Sequence, residues 1–148
     1  MKVLVIHGPN LNLLGKRKRG IYGDKTLEEI NSLLQQQAKE LDIEIITFQS
    51  NSEGALIDFI QAESPEADGI IVNPGALTHY GLSLRDAHED TTLPIMEVHL
   101  SNIYAREEWR QESVIASIAK GQVSGLGWIG YITALRTLVA ELRGETWQ

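Results

Sequence analysis

Apolar and polar positions along this chain alternate between two rhythms. Val3-Leu4-Val5-Ile6 is an unbroken apolar run, the pattern of a strand covered on both faces. Leu27, Ile30, Leu33, Leu34, Ala38 and Leu41 then recur three and four positions apart, which predicts an amphipathic helix over about 26–41. Thr26 and Glu29 supply its capping box. The same switching predicts strands at 43–48, 69–72 and 94–98, with a fifth near 122–124. Helices are expected from Ser52 to about Ala62, from Leu82 to about His88 and from Gly127 to Arg143, with a short one around 105–109.

Strands alternating with helices imply a parallel sheet with right-handed crossovers. Five such units in 148 residues point to an α/β, flavodoxin-like, doubly wound five-stranded parallel sheet. Closure into a barrel would take eight units and about 250 residues. With no linker, internal repeat or low-complexity stretch, residues 1–148 are expected to form a single domain.

Composition narrows the function classes. A net charge of -7 argues against a nucleic-acid binder driven by phosphate contacts, so Lys16 to Arg19 form a local basic patch suited to a small anion. No apolar run reaches membrane-spanning length, and the chain enters its first strand without a signal peptide. With no cysteine there is no disulfide, thiol nucleophile or thiolate metal site, and the expected address is the cytoplasm.

The segment after the first strand, Gly8 to Gly23, is too long and basic for an ordinary connection of about 2–6 residues. Arg17 and Tyr22 lie on it between hinge glycines. Polar groups also gather at other strand ends: His7-Gly8-Pro9-Asn10, Gln49-Ser50-Asn51-Ser52-Glu53-Gly54, Asn73-Pro74-Gly75 with Thr78-His79, and Glu97-Val98-His99-Leu100-Ser101-Asn102. Ligands of open α/β sheets bind outside the carboxyl ends of the strands, so these groups are expected to converge on one crevice.

Several chemistries are excluded by spacing. Gly125-Leu126-Gly127-Trp128-Ile129-Gly130 matches the dinucleotide fingerprint in letters, but no strand with an acidic residue follows, so a close-packed turn is expected. Gly15-Lys16-Arg17 lacks the glycine spacing and hydroxyl of a phosphate loop. His7, His79, His88 and His99 do not stand at metal-ligand spacing. Phosphoacceptor domains of this fold need acidic clusters where His7 and Asn73 stand, and Asn10 to Leu14 is too bulky to cradle a flavin phosphate.

The remaining possibility is acid–base chemistry on a small anion. Residues 97 and 99 share one face of a strand, so Glu97 can fix the tautomer of His99. A tyrosine has a pKa of about 10, so Tyr22 acts as a base only beside a cation, which Arg17 can supply. The competing reading is a non-catalytic module of the same fold that recognises a hydroxy-acid through Leu100, Ser101 and Arg110 and tolerates loss of Tyr22. An oligomeric scaffold would leave the polar groups at the strand ends without a purpose.

These blocks resemble the type II 3-dehydroquinate dehydratases over essentially the whole chain. Besides the loop from Gly8 to Tyr22, Phe48 to Asn51, Asn73-Pro74-Gly75-Ala76, Leu84-Arg85-Asp86-Ala87, Glu97 to Asn102, Ala105 to Arg110 and Gly125-Leu126-Gly127 carry the likeness. The resemblance implies dehydration of 3-dehydroquinate to 3-dehydroshikimate through an enolate, in the shikimate pathway or quinate breakdown, without a cofactor. It implies that Tyr22 takes the proton, that Arg17 supports Tyr22, and that Asn10 holds a water on the enolate oxygen. His99, oriented by Glu97, would protonate the departing hydroxyl. Leu100 and Ser101 N–H groups would hold the carboxylate, and Asn73, His79 and Arg110 the ring hydroxyls. Asp86 would reach the site from a neighbouring subunit of a homo-oligomer, a dodecamer built of trimers. Lys18-Arg19-Gly20 departs from the family's lid, which predicts a more mobile, more basic flap on which Arg19 could partly stand in for Arg17.

Overall fold

The computed structural model describes residues 1–145. It holds five strands, β1 (Lys2–His7), β2 (Glu44–Gln49), β3 (Gly69–Asn73), β4 (Ile95–His99) and β5 (Gly121–Ser124). They pair in parallel in the order β2-β1-β3-β4-β5, the flavodoxin-like winding. The helices are α1 (Arg19–Tyr22), α2 (Leu27–Glu40), α3 (Glu53–Glu63), α4 (Leu82–Asp90) and α5 (Ile129–Leu142).

Strand parity sorts the core into two layers. Val3, Val5, Ile71, Met96 and Val98 pack with Ile30, Leu34, Leu135 and Leu138 of α2 and α5. Leu4, Ile6, Ile70, Val72 and Ile95 face Leu56, Ile60 and Leu84 of α3 and α4 on the opposite side. Every residue of β1 from Val3 to His7, and all of β3 and β4, is buried, as the apolar runs require. The capping box of α2 is formed: Glu29 N–H donates to Thr26 Oγ1 and Thr26 N–H to Glu29 Oε2, both at 3.1 Å.

Departures from the expected elements lie at the edges of function. The long connection after β1 carries a 3-10 turn at Leu11–Leu13 and the one-turn α1. The helix expected around 105–109 is instead two 3-10 turns, Ile103–Ala105 and Glu108–Arg110. Arg106 is extended between them, which lets its side chain swing toward the sheet. The last helix starts at Ile129, two residues later than expected, because Gly127 at φ 59° belongs to the preceding turn. No helix among the described residues is long and apolar enough to cross a membrane.

Candidate active site

In this winding the crossover direction reverses between β1 and β3, which opens a gap at their carboxyl ends. The two ends are pressed together by backbone: Gly8 N–H donates to Asn73 O at 2.7 Å. A Cβ on Gly8 would stand 2.2 Å from the Pro74 carbonyl oxygen, so only glycine fits there. Just beyond, Asn10 adopts the left-handed conformation at φ 69°, which asparagine tolerates, and its N–H is held by Asn51 Oδ1 at 2.9 Å. The chain is thereby turned so that Pro9, Asn10 and Leu11 form one wall of a cleft.

The flap from Gly15 to Gly23 forms the roof. Both glycines have positive φ, at 86° and 81°. Between them Arg17 and Tyr22 meet: Arg17 Nη2 donates to the Tyr22 hydroxyl at 3.3 Å, and the guanidinium carbon lies 4.2 Å from the ring centroid. Both residues line the cleft and are half-buried. Arg19 does not share this place. It is exposed, and its Nε donates to Gly15 O at 3.1 Å, so the expectation that it stands in for Arg17 is not met.

The floor is β4 together with the residues immediately after it. His99 lines the cleft, and its Nε2 donates to Glu97 Oε1 at 2.6 Å. Glu97 is fully buried, yet its carboxylate is richly solvated by protein. Thr78 Oγ1 donates to Oε1, Ser113 Oγ also donates to Oε1 at 2.7 Å, and Gln122 Nε2 donates to Oε2 at 3.1 Å. Burial opposes the charge of Glu97, but the hydrogen bonds and charge of His99, with Thr78 and Ser113, outweigh it and hold the carboxyl below its usual range. His99 is therefore fixed with its Nε2 proton on the carboxylate and Nδ1 turned from it.

Among the remaining expected residues, Asn73, His79, Leu100 and Arg110 line the same cleft. Asn73 is buried and its Oδ1 accepts Gly75 N–H at 3.2 Å, while His79 Nδ1–H donates to the Glu112 carbonyl at 2.7 Å. Ser101 is not among the residues lining the cleft; its Oγ accepts from Arg106 at 3.3 Å. Asp86 stands apart on α4, its side chain 71% exposed and beside Arg85.

One strand-end group, and His7 of another, do not converge as expected. His7 falls on the opposite sheet face from His99 by parity. Its Nδ1 accepts from the Tyr131 hydroxyl and its Nε2–H donates to Asn31 Oδ1, both at 2.8 Å. Burial lowers its pKa to about 4, against the Asn31 bond, so it is a neutral core histidine. Gln49 and Asn51 brace the loop after β1: Gln49 Nε2 donates to Gly8 O at 3.2 Å and to Asn51 Oδ1 at 3.1 Å. The glycine fingerprint is a turn, as expected. Gly125 N–H donates to His99 O at 3.2 Å and Gly127 N–H to Leu100 O at 3.0 Å, so these donors pin the end of β4 rather than face a pyrophosphate.

The residue that patterning missed is Arg106. It lines the cleft with its guanidinium carbon 5.3 Å from the Tyr22 ring. Its signal was present, since it lies in the block Ala105 to Arg110, but an arginine directly before Glu107 and Glu108 reads as a solvated surface charge. Thr78 stood out only as part of a strand-end group, and Ser113 and Gln122 not at all, because neutral side chains meet Glu97 only through tertiary folding. No cluster of three or more His, Asp or Glu side chains that could hold a metal occurs among the described residues.

Fold and cleft together define an open α/β domain with an Arg17–Tyr22 pair and a Glu97–His99 pair at the carboxyl ends of its strands. The family model described as "Dehydroquinase class II" matches residues 1–139. A 3-dehydroquinate dehydratase of Roseiflexus castenholzii is 60% identical over 145 residues, covering 98% of this chain and 92% of that protein. The type II dehydroquinase of Butyrivibrio crossotus superposes with a TM-score of 0.91 at 45% identity, covering 93% of this chain and 97% of the other. That of Propionibacterium acnes gives a TM-score of 0.90 at 36% identity, covering 94% and 96%. The chain belongs to the class II dehydroquinase family.

Proposed function

We propose that this protein is a hydro-lyase that removes water from 3-dehydroquinate to give 3-dehydroshikimate, through an enolate. The observation that carries the mechanism is one cleft lined by the bonded pair Arg17 and Tyr22 and by His99, which is itself bonded to the buried Glu97. Tyr22, ionised, takes the proton from the carbon beside the ketone; the electrons of that C–H bond form the enolate C=C as the carbonyl π pair moves onto oxygen. Arg17 and Arg106 offset the negative charge on the phenol side of the cleft. Asn10 positions a water against the enolate oxygen. As the enolate collapses, the β-hydroxyl leaves with a proton from His99 Nδ1, and Glu97 steadies the imidazole. The N–H groups of Leu100 and Ser101 receive the carboxylate, and Asn73, His79 and Arg110 the ring hydroxyls. No step calls for a cofactor.

The same reading makes the protein a homo-oligomer, a dodecamer of trimers, in which Asp86 completes a neighbour's cleft. Its exposure, and that of Tyr80 (64%) and Leu82 (61%) at the start of the same helix, support a contact there. Light scattering of the intact protein is expected to give the mass of twelve chains; a monomer would remove Asp86 from the site.

The decisive assay follows the absorbance of the conjugated enone from 3-dehydroquinate with wild type, Tyr22→Phe and His99→Asn. Product from the wild type and almost none from either variant supports the mechanism. Unimpaired turnover by Tyr22→Phe would overturn it, and binding without turnover by the wild type would favour the non-catalytic module.

A further inference from the structure

Glu97 Oε1 and Oε2 are treated unequally by the fold. Oε1 takes Thr78, Ser113 and His99, all held in place by the cleft's own elements. Oε2 takes a single side chain, Gln122, from the edge strand β5. The two residues are register partners across β4 and β5, so their side chains leave the same face of the sheet side by side. A carboxylate only accepts hydrogen bonds, which forces the Gln122 amide to present its NH₂ to Glu97 and its oxygen outward. That oxygen is met by a donor: the Tyr104 hydroxyl donates to Gln122 Oε1 at 2.6 Å.

Tyr104 is itself fixed. Its N–H is capped by Asn102 Oδ1 at 3.1 Å, and the preceding Ile103 N–H donates to Ser124 Oγ at 3.3 Å. The residue is 52% exposed. Hydrogen bonds thus run in one direction from the surface inward, Tyr104 to Gln122 to Glu97, with His99 donating to Glu97 from the other side.

We propose that Gln122, oriented by Tyr104, is a positioning residue for the acid of this active site: it holds the second oxygen of Glu97 and so fixes the carboxylate plane against which His99 is aligned. The inference rests on the acid role given to His99 above. Tyr104 and Gln122 touch no substrate. They act by keeping a buried carboxylate fully partnered, since a buried charge that loses a donor is left unpaired. The charged and titratable groups that face Glu97 and His99 from packed elements are His88 on α4, His79 after β3, Arg17 and Tyr22 on the flap, and Arg106 and Arg110 beyond β4. None of them approaches Oε2 in place of Gln122.

The test replaces Gln122 with methionine, which keeps the length and removes the donor, and Tyr104 with phenylalanine. Gln122→Met is expected to lower kcat about tenfold with KM changed less than about twofold, the loss typical of one hydrogen bond to a charged group. The acidic limb of its kcat profile moves to higher pH, because a carboxylate with one donor fewer is protonated sooner. Tyr104→Phe is expected to move both readouts in the same direction by less, and Gln122→Glu to abolish activity at neutral pH by setting two carboxylates together. A ¹³C-carboxyl NMR titration of Glu97 reads the same change without any turnover. An unmoved Glu97 titration in Gln122→Met overturns the inference, whatever the activity. A moved titration in a protein whose His99→Asn variant still turns over would instead retain the Gln122 contact and sink the acid role of His99.

Discussion

Tyr22 and His99 face the same cleft, yet the chain supports them in different ways. Tyr22 rides a one-turn helix between two glycines of positive φ, with a single 3.3 Å bond from Arg17 and a second guanidinium 5.3 Å away. His99 ends a central strand, is 5% exposed, and leans on a carboxylate that receives three further side chains. The flap uses long-range charge, which tolerates movement because it falls off slowly with distance. The strand uses short directional bonds, which demand fixed positions. A group that must let substrate in is served by the first kind of support, and one that must deliver a proton along one line by the second.

Sharpening that contrast begins with the phenol. Tyr22→Phe is expected to lower kcat by about 10³-fold, within the range for loss of a positioned acid or base, with near-normal thermal stability on a melting curve. Arg17→Ala should cost about 10²-fold in kcat, as for loss of one preorganised charge, whereas Arg19→Ala, bonded only to the Gly15 carbonyl, should stay within about twofold. Equal losses from the two arginines in steady-state kinetics would erase the distinction drawn on the flap.

On the strand side, Thr78→Val should lower kcat about tenfold and also destabilise the fold by about 1–3 kcal/mol, because it leaves a buried carboxylate short of a donor. A kinetic loss with no loss of stability would mean that the buried network is as forgiving as the flap. The smallest effects on turnover belong to buried rings that do no chemistry. His88 is fully buried, both its ring nitrogens lack a hydrogen-bond partner among the described residues, and burial lowers its pKa to about 4 despite the pull of Glu97. Above pH 6.5 it is neutral folded and unfolded and imposes no proton penalty. As pH falls from 6.5 toward 4 the unfolded chain binds a proton that the folded one refuses, so stability drops, by up to about 3 kcal/mol. His88→Leu should remove that loss and raise stability at neutral pH by about 1 kcal/mol, read by chemical denaturation at about pH 7.5 and about pH 4.5. His7→Gln would test the corresponding loss at the other buried ring.

The fold was legible because parallel strands buried on both faces leave unbroken apolar runs, as β1 and β3 do, and because α2 carries its own start signal in Thr26 and Glu29. The site was legible where chemistry is local in sequence: Arg17 and Tyr22 on one loop, Glu97 and His99 two apart on one strand. It was not legible where partners come from afar. Parity sends His7 away from the cleft, a fact fixed only once the sheet's faces are known. Ser113 and Gln122 reach Glu97 from 16 and 25 positions downstream and carry no charge to advertise the contact. Arg106 is turned inward only because the expected helix breaks into two short turns around it.

The glycine wedged under the Pro74 carbonyl has a practical meaning for anyone wishing to retarget this scaffold. At 2.2 Å there is no room for even a methyl group, so the contact just past the ends of the first and third strands is closed to diversification. New specificity would have to be grafted onto the flap and the segment beyond the fourth strand, leaving that contact as the fixed keel of every variant in a library.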